Sequence, residues 1–121
     1  MKYILLIYQD EKRWNAVDEV EQQRIYAEFG KLREQLVARG QYLDGSQLQR
    51  AMVATSIRIR DGKELVTDGP FAETREQLGG YFLIEVNSEA DAIVIAKQIP
   101  IARTGTVEVR ALVDRAAEAH A

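Results

Sequence analysis

The part of this chain richest in reactive groups is DGPFAETRE, residues 68–76. Asp68, Glu73 and Glu76 place three carboxylates within nine positions, beside a Gly69-Pro70 pair and the aromatic Phe71. Carboxylates crowded near an aromatic ring raise one another's proton affinity, which suits acid–base work. That reading needs Glu73 to Glu76 to form a helical turn with both acids on one side, and Asp68 to end the preceding strand, so that all three share a pocket. A second reading is architectural. Asp68 accepts hydrogen bonds from its own turn, Gly69 supplies a backbone angle other residues resist, Phe71 plugs the core, and residues 73–76 form a solvated approach to the next strand. A third is a divalent cation held by oxygen ligands. The spacing matches no defined magnesium or calcium loop, so no metal and no other cofactor is expected.

Other candidates lie elsewhere. Tyr8 and Asp10 leave the end of an apolar strand, where clefts in open sheets form, although Tyr8 also suits a subunit core. Arg103 precedes Thr104 and Gly105 at a strand entrance; it can pair with Asp68, bind an anionic ligand, or stand at the surface. Trp14 is isolated among charged residues and either lines a ligand site or packs back on the first helix, and we expect packing. The candidate ligand-binding set is therefore Tyr8, Asp10, Asp68, Gly69, Pro70, Phe71, Glu73, Glu76 and Arg103. Histidine is the commonest base near neutral pH, yet His120 in the tail is the only one in the chain. Proton transfer would fall to carboxylates, tyrosine or lysine. With no cysteine, disulfides, thiol nucleophiles and thiolate metal sites are excluded.

Positioning these groups requires a scaffold. Lys2 to Gln9 is rich in Ile, Leu and Tyr and reads as a central strand buried on both faces. Asp18 caps a long amphipathic helix with Glu21 three residues on, and Ile25, Phe29, Leu32 and Leu36 form its stripe up to Arg39-Gly40. Residues 41–52 read as a short irregular strand. Val53, Thr55, Ile57 and Ile59 alternate with Ala54, Ser56, Arg58 and Arg60; Asp61-Gly62 turns the chain and Lys63 to Thr67 returns, a hairpin with one wet face. Leu78 to Val86 is a second central strand. Ser88 and Asp91 open a second helix with a stripe of Ala92, Ile95, Ala96 and Ile99, ended by Pro100, and Gly105 to Val113 alternates as a last strand. The plan is α+β, a ferredoxin-like βαββαβ with an inserted β-hairpin. It forms one domain over residues 1–113, with 114–121 as a frayed tail.

Right-handed crossovers place both helices on one face of the antiparallel sheet. Tyr3, Leu5 and Ile7 point one way from the first strand and Ile4, Leu6 and Tyr8 the other, so one apolar set lacks a helix to cover it. A second copy of the chain is the natural cover, giving a homodimer through the sheet face. Sixteen basic residues scattered among nineteen acids leave a net charge of −3 and no basic face, which argues against nucleic acid. The N-terminal apolar run ends in charge without a cleavage site, and nothing approaches the roughly twenty apolar residues of a membrane span. A soluble cytoplasmic protein is expected.

On KYILLIYQDE at the start, RDGKELVTDGPFAETREQLGGYFLIEV in the middle and RTGTVEVR near the end, the chain resembles the YCII-related family in its DGPF branch. The resemblance implies a dimeric α/β barrel of the ferredoxin-like type. It also implies a small bacterial protein with a cleft, in a group often encoded beside extracytoplasmic-function sigma factors. Relatives commonly carry histidine where this chain has Thr104, and YCII proteins proper are thought to use a His and Asp pair. Two functions follow: a homodimer acting on a compact polar metabolite beside the DGPF turn, or a non-catalytic regulatory or interaction module linked to a sigma factor.

Overall fold

The structure, a computed structural model, describes residues 1–115. His120 and residues 116–121 of the expected tail lie outside the described residues. In chain order the elements are β1 (Lys2–Gln9), α1 (Glu11–Asn15), α2 (Glu19–Ala38), β2 (Tyr42–Gln47), β3 (Thr55–Arg60), β4 (Lys63–Asp68), β5 (Gln77–Glu85), α3 (Glu89–Ala96) and β6 (Thr106–Ala111). Short 3₁₀ turns occupy Ala51–Val53 and Pro100–Arg103. Both helix starts follow the sequence: Asp18 accepts from the Glu21 N–H at 2.9 Å and Ser88 from the Asp91 N–H at 3.2 Å.

The main sheet has the order β2-β5-β1-β6 with every neighbour antiparallel. Alternation along its two central strands separates two apolar sets. Tyr3, Leu5 and Ile7 of β1 and Phe82 and Ile84 of β5 are buried with Leu32 and Leu36 of α2 and Ala92, Ile95 and Ala96 of α3. That is the core, and Phe29, Phe82 and Tyr42 join it through edge-on ring contacts. Ile4, Leu6, Tyr81 and Leu83 occupy the opposite face and are only half-buried. The sheet is open.

The hairpin β3–β4 pairs Ile57 with Val66 and Ile59 with Glu64 as a separate two-stranded sheet. One wet face was expected, but Ile57, Ile59, Leu65 and Val66 are all exposed, so both faces are open. The cause is connectivity. The two strands pair only with each other, so the hairpin projects from the sheet and its alternation has no core to meet. The charged segment after β1, for which periodicity predicts no element, forms α1 because Asp10 caps it. Its carboxylate accepts from the Lys12 and Arg13 N–H groups at 3.0 and 3.4 Å.

Candidate functional site

A register slip shapes the end of β1. Ile7 pairs with Gly80 but Tyr8 with Leu78, so Gly79 is an extra, bulged residue in β5. A Cβ on Gly80 would stand 2.9 Å from the Ser46 carbonyl oxygen, which explains why this strand tolerates no side chain there. At Gly79 an added Cβ would press on the Gln9 side chain, whose Nε2 would lie 3.3 Å away. The bulge leaves a floor made of backbone.

α1 carries Trp14 toward this floor. Its ring meets Tyr26 of α2 edge-on with centroids 5.6 Å apart, and the Gln22 side-chain amide donates to its carbonyl at 3.0 Å. Between these rings, Phe29 and the end of the sheet lies a cleft of about 210 Å³, whose other walls are Ile7, Phe82 and Ile101 and whose polar groups are Gln9, Arg33, Ser46 and Gln47. A larger cleft of about 470 Å³ adjoins it, sharing Gln9, Trp14, Gln47 and Gly79 and adding Glu11 and Arg50. Together they form one groove. Glu11 is engaged, accepting from the Ala51 N–H at 2.7 Å, while its own N–H donates to the Gln77 side chain at 3.3 Å. The 3₁₀ turn Ala51–Val53 is thereby tied to α1.

The DGPF turn hangs from the far end of that turn. The Gly69 N–H donates to the Ala54 carbonyl at 2.7 Å, and Ser56 Oγ donates to the Gly69 carbonyl at 2.8 Å. Gly69 has φ +93°, a region in which any Cβ is strained, as its turn position predicts. The Asp68 side chain makes no hydrogen bond among the described residues, so the turn is held by backbone groups and the Ser56 hydroxyl. Phe71 does not plug the core: it is 78% exposed, because it leaves the hairpin on the solvent side. Residues 73–76 form no helical turn, 73 and 74 being irregular and 75 and 76 a bend, and Glu73 lies in solvent. Glu76 turns inward to accept from Thr106 Oγ1 at 2.8 Å.

The candidate set thus divides. Tyr8, Asp10 and Glu76 gather at the end of β1, where Tyr8 pairs with Thr106 and the Arg75 guanidinium lies 3.8 Å from Asp10. Asp68, Gly69, Pro70 and Phe71 belong to the base of the hairpin. Arg103 pairs with Glu28 of α2 at 2.9 Å rather than with Asp68. Glu28 also meets Arg24 at 2.6 Å, and Arg24 meets Glu21, so the four charges form a surface chain. Hydrogen bonding to Arg24 lowers the Glu21 pKa. Among the described residues, no three acids or histidines converge as metal ligands. On the open sheet face, Tyr8 donates to Glu108 at 3.2 Å and Tyr81 to Asp44 at 3.1 Å. Partial burial, then the Glu108 bond, raises the Tyr8 pKa; at Tyr81 the Asp44 bond is the main cause of the rise.

The groove residues Gln9, Tyr26, Phe29, Arg33 and Gln47 were not among the expected ligand-binding set. Two signals existed. Tyr26, Phe29 and Arg33 follow i, i+3, i+7 spacing along one side of the helical stripe, and the Gly79-Gly80 pair inside an otherwise apolar strand marks a bulge.

Setting the inserted hairpin aside, the strand order and the two helices packed on one face define an α+β domain of the ferredoxin-like kind. The chain belongs to the YCII-related domain family, whose model matches residues 1–115. It is 34% identical over 114 residues to an uncharacterized protein of Rhizobium meliloti (strain 1021), a match covering 93% of this chain and 92% of that one.

Proposed function

We propose that residues 1–113 are a single YCII-related domain of the DGPF branch, acting in the cytoplasm as a homodimer. Its role is to bind a compact polar metabolite in the groove at the end of β1, with the DGPF turn as a flank. The groove carries this reading: it is concave, walled by aromatic rings, and contains a Gln9 side chain without a hydrogen-bond partner among the described residues. Sites for small ligands combine these features. Tyr8, Asp10 and Glu76 border the same end of β1, and Gly69 anchors the flank through Ala54. The dimer rests on Ile4, Leu6 and Leu83, apolar side chains on a sheet face that no helix covers, edged by the Tyr8–Glu108 and Tyr81–Asp44 pairs. Two such faces packed together close a dimeric α/β barrel.

Trp14 is the only tryptophan and lines both parts of the groove, so intrinsic fluorescence reports occupancy directly. In a screen of polar metabolites, binders are expected to raise the melting temperature and change Trp14 emission together. A broad screen with no such compound would refute the reading. The exposed hairpin, with Ile57, Ile59 and Val66 on one side, favours a second reading, a non-catalytic regulatory module linked to a sigma factor. Co-purification of a sigma factor that is lost on Ile57→Lys, with no metabolite found, would support that module instead.

A further inference from the structure

Arg33 stands out among the cations of α2. Arg24 has acids at both helical neighbour positions and binds both, Glu21 at −3 and Glu28 at +4. Lys31 has Glu28 and Glu34 at −3 and +3. The positions three and four away from Arg33 hold Gly30, Phe29, Leu36 and Val37, so its helix offers it no carboxylate. No ion pair or hydrogen bond engages its side chain among the described residues. Yet Arg33 lines the inner cleft beside Phe29 and Tyr26. The acids near the groove are already engaged, Glu11 by Ala51 and Glu28 by Arg24 and Arg103. A free guanidinium at the edge of an apolar cleft is a receptor for an anion.

We propose that the groove selects a compact planar acid, its ring-sized apolar body lying among Trp14, Tyr26 and Phe29 and its carboxylate held by Arg33. This rests on the small-molecule reading of the groove and names the ligand class. Size limits the body: the inner cleft of the groove, about 210 Å³, is below the roughly 300–1,000 Å³ that drug-sized ligands occupy, so one ring fits there. The aromatic walls suit edge or face contact with a flat ligand. A carboxylate matches a single guanidinium fork, whereas a phosphoryl group calls for further donors. The nearest helix start offers none, since the first N–H groups of α1 are taken by Asp10.

The test uses the single Trp14 indole N–H resonance and four probes of similar shape: benzoate, benzamide, benzylamine and phenyl phosphate. Benzoate is expected to shift the resonance saturably and to bind about tenfold or more tighter than benzamide, with benzylamine weaker still. Arg33→Gln should bring benzoate down to the benzamide level with an unchanged melting temperature, and Arg33→Lys should restore part of the difference. Gly79→Val, which fills the backbone floor, should abolish binding of all four. Equal binding of benzoate and benzamide, indifference to Arg33→Gln, or tighter binding of phenyl phosphate would each overturn the carboxylate assignment while leaving a small-molecule groove in place. If no probe shifts the resonance, the planar-acid assignment is overturned; the groove reading falls with it only when the broad metabolite screen also fails.

Discussion

Leu83 and Ile84 are neighbours in β5 that point to opposite faces of the sheet, and a lysine at each separates folding from assembly. Ile84 is fully buried against the helices, whereas Leu83 stands opposite Ile4 on the face no helix covers and is half-buried. Full burial of such a side chain stabilises by about 1.5–3 kcal/mol, so covering the exposed half of Leu83 in the proposed homodimer would contribute about 0.75–1.5 kcal/mol. A two-fold interface contains the residue twice, and Leu83→Lys should weaken association by about 1.5–3 kcal/mol before any cost of burying an ammonium. At about 1.4 kcal/mol per decade, that raises the dimer Kd about 12- to 140-fold. Ile84→Lys instead places a charge in the core and should prevent folding. Light scattering over a dilution series gives the Kd, and circular dichroism reports whether each variant folds. An unchanged Kd for Leu83→Lys, or a variant as unfolded as Ile84→Lys, would refute the reasoning, because either result denies that this face is covered by a second copy.

Two glycines should differ in the cost of a methyl group. At Gly105 an added Cβ would clash with the Tyr8 carbonyl oxygen and meet Ile101 at 3.0 Å, so Gly105→Ala should lose about 3 kcal/mol or more in urea denaturation. Gly69→Ala meets open space and only the strain of φ +93°, about 1 kcal/mol. Among the three carboxylates of the opening motif, Asp68→Asn and Glu73→Gln should leave stability within about 0.5 kcal/mol, being exposed. Glu76→Gln weakens the bond from Thr106 and should cost up to about 1 kcal/mol by the same assay. Rising pH should destabilise the fold from about pH 10, where tyrosine in the unfolded chain ionises while Tyr8 and Tyr81 still hold their protons. The unfolded state then binds fewer protons, so stability falls as pH rises through the folded-state values. A Tyr8→Phe, Tyr81→Phe double variant should show a flatter melting profile above pH 10.

Periodicity made the scaffold legible. The stripe of Leu32 and Leu36, the caps at Asp18 and Ser88, and the two-sided apolar pattern of β1 and β5 each follow from local rules that the packing then obeys. α1 escaped because a five-residue helix is too short to show a period, although Asp10 is a cap by type. The hairpin was read correctly as paired strands and its surroundings were not. Alternation tells which residues share a face, but what a face meets depends on where the connecting loops carry it. The groove was hidden for a related reason. Its walls come from β1, α1, α2, β2, β5 and the 3₁₀ turn at Ile101, elements far apart in sequence, and each contributes one to three residues that are ordinary in their own segment.

The opening motif therefore works differently from what its composition suggests. Its acids look like the reactive part, yet Asp68 and Glu73 face solvent and Glu76 is spent on Thr106. What the motif contributes near the groove is backbone. Gly69 takes an angle that lets its N–H reach the Ala54 carbonyl and its own carbonyl receive Ser56, at the end of the 3₁₀ turn whose beginning is held by Glu11 of α1. One run of hydrogen bonds then links Trp14's helix to the hairpin by way of residues 51–54. A substitution that disturbs Gly69 should therefore act on the groove through that turn, whereas one that neutralises Asp68 should not. Clustered charge in this sequence marks a segment that turns in water, and the groups assigned to the ligand in the proposed site are the less conspicuous Trp14, Arg33 and Gln9.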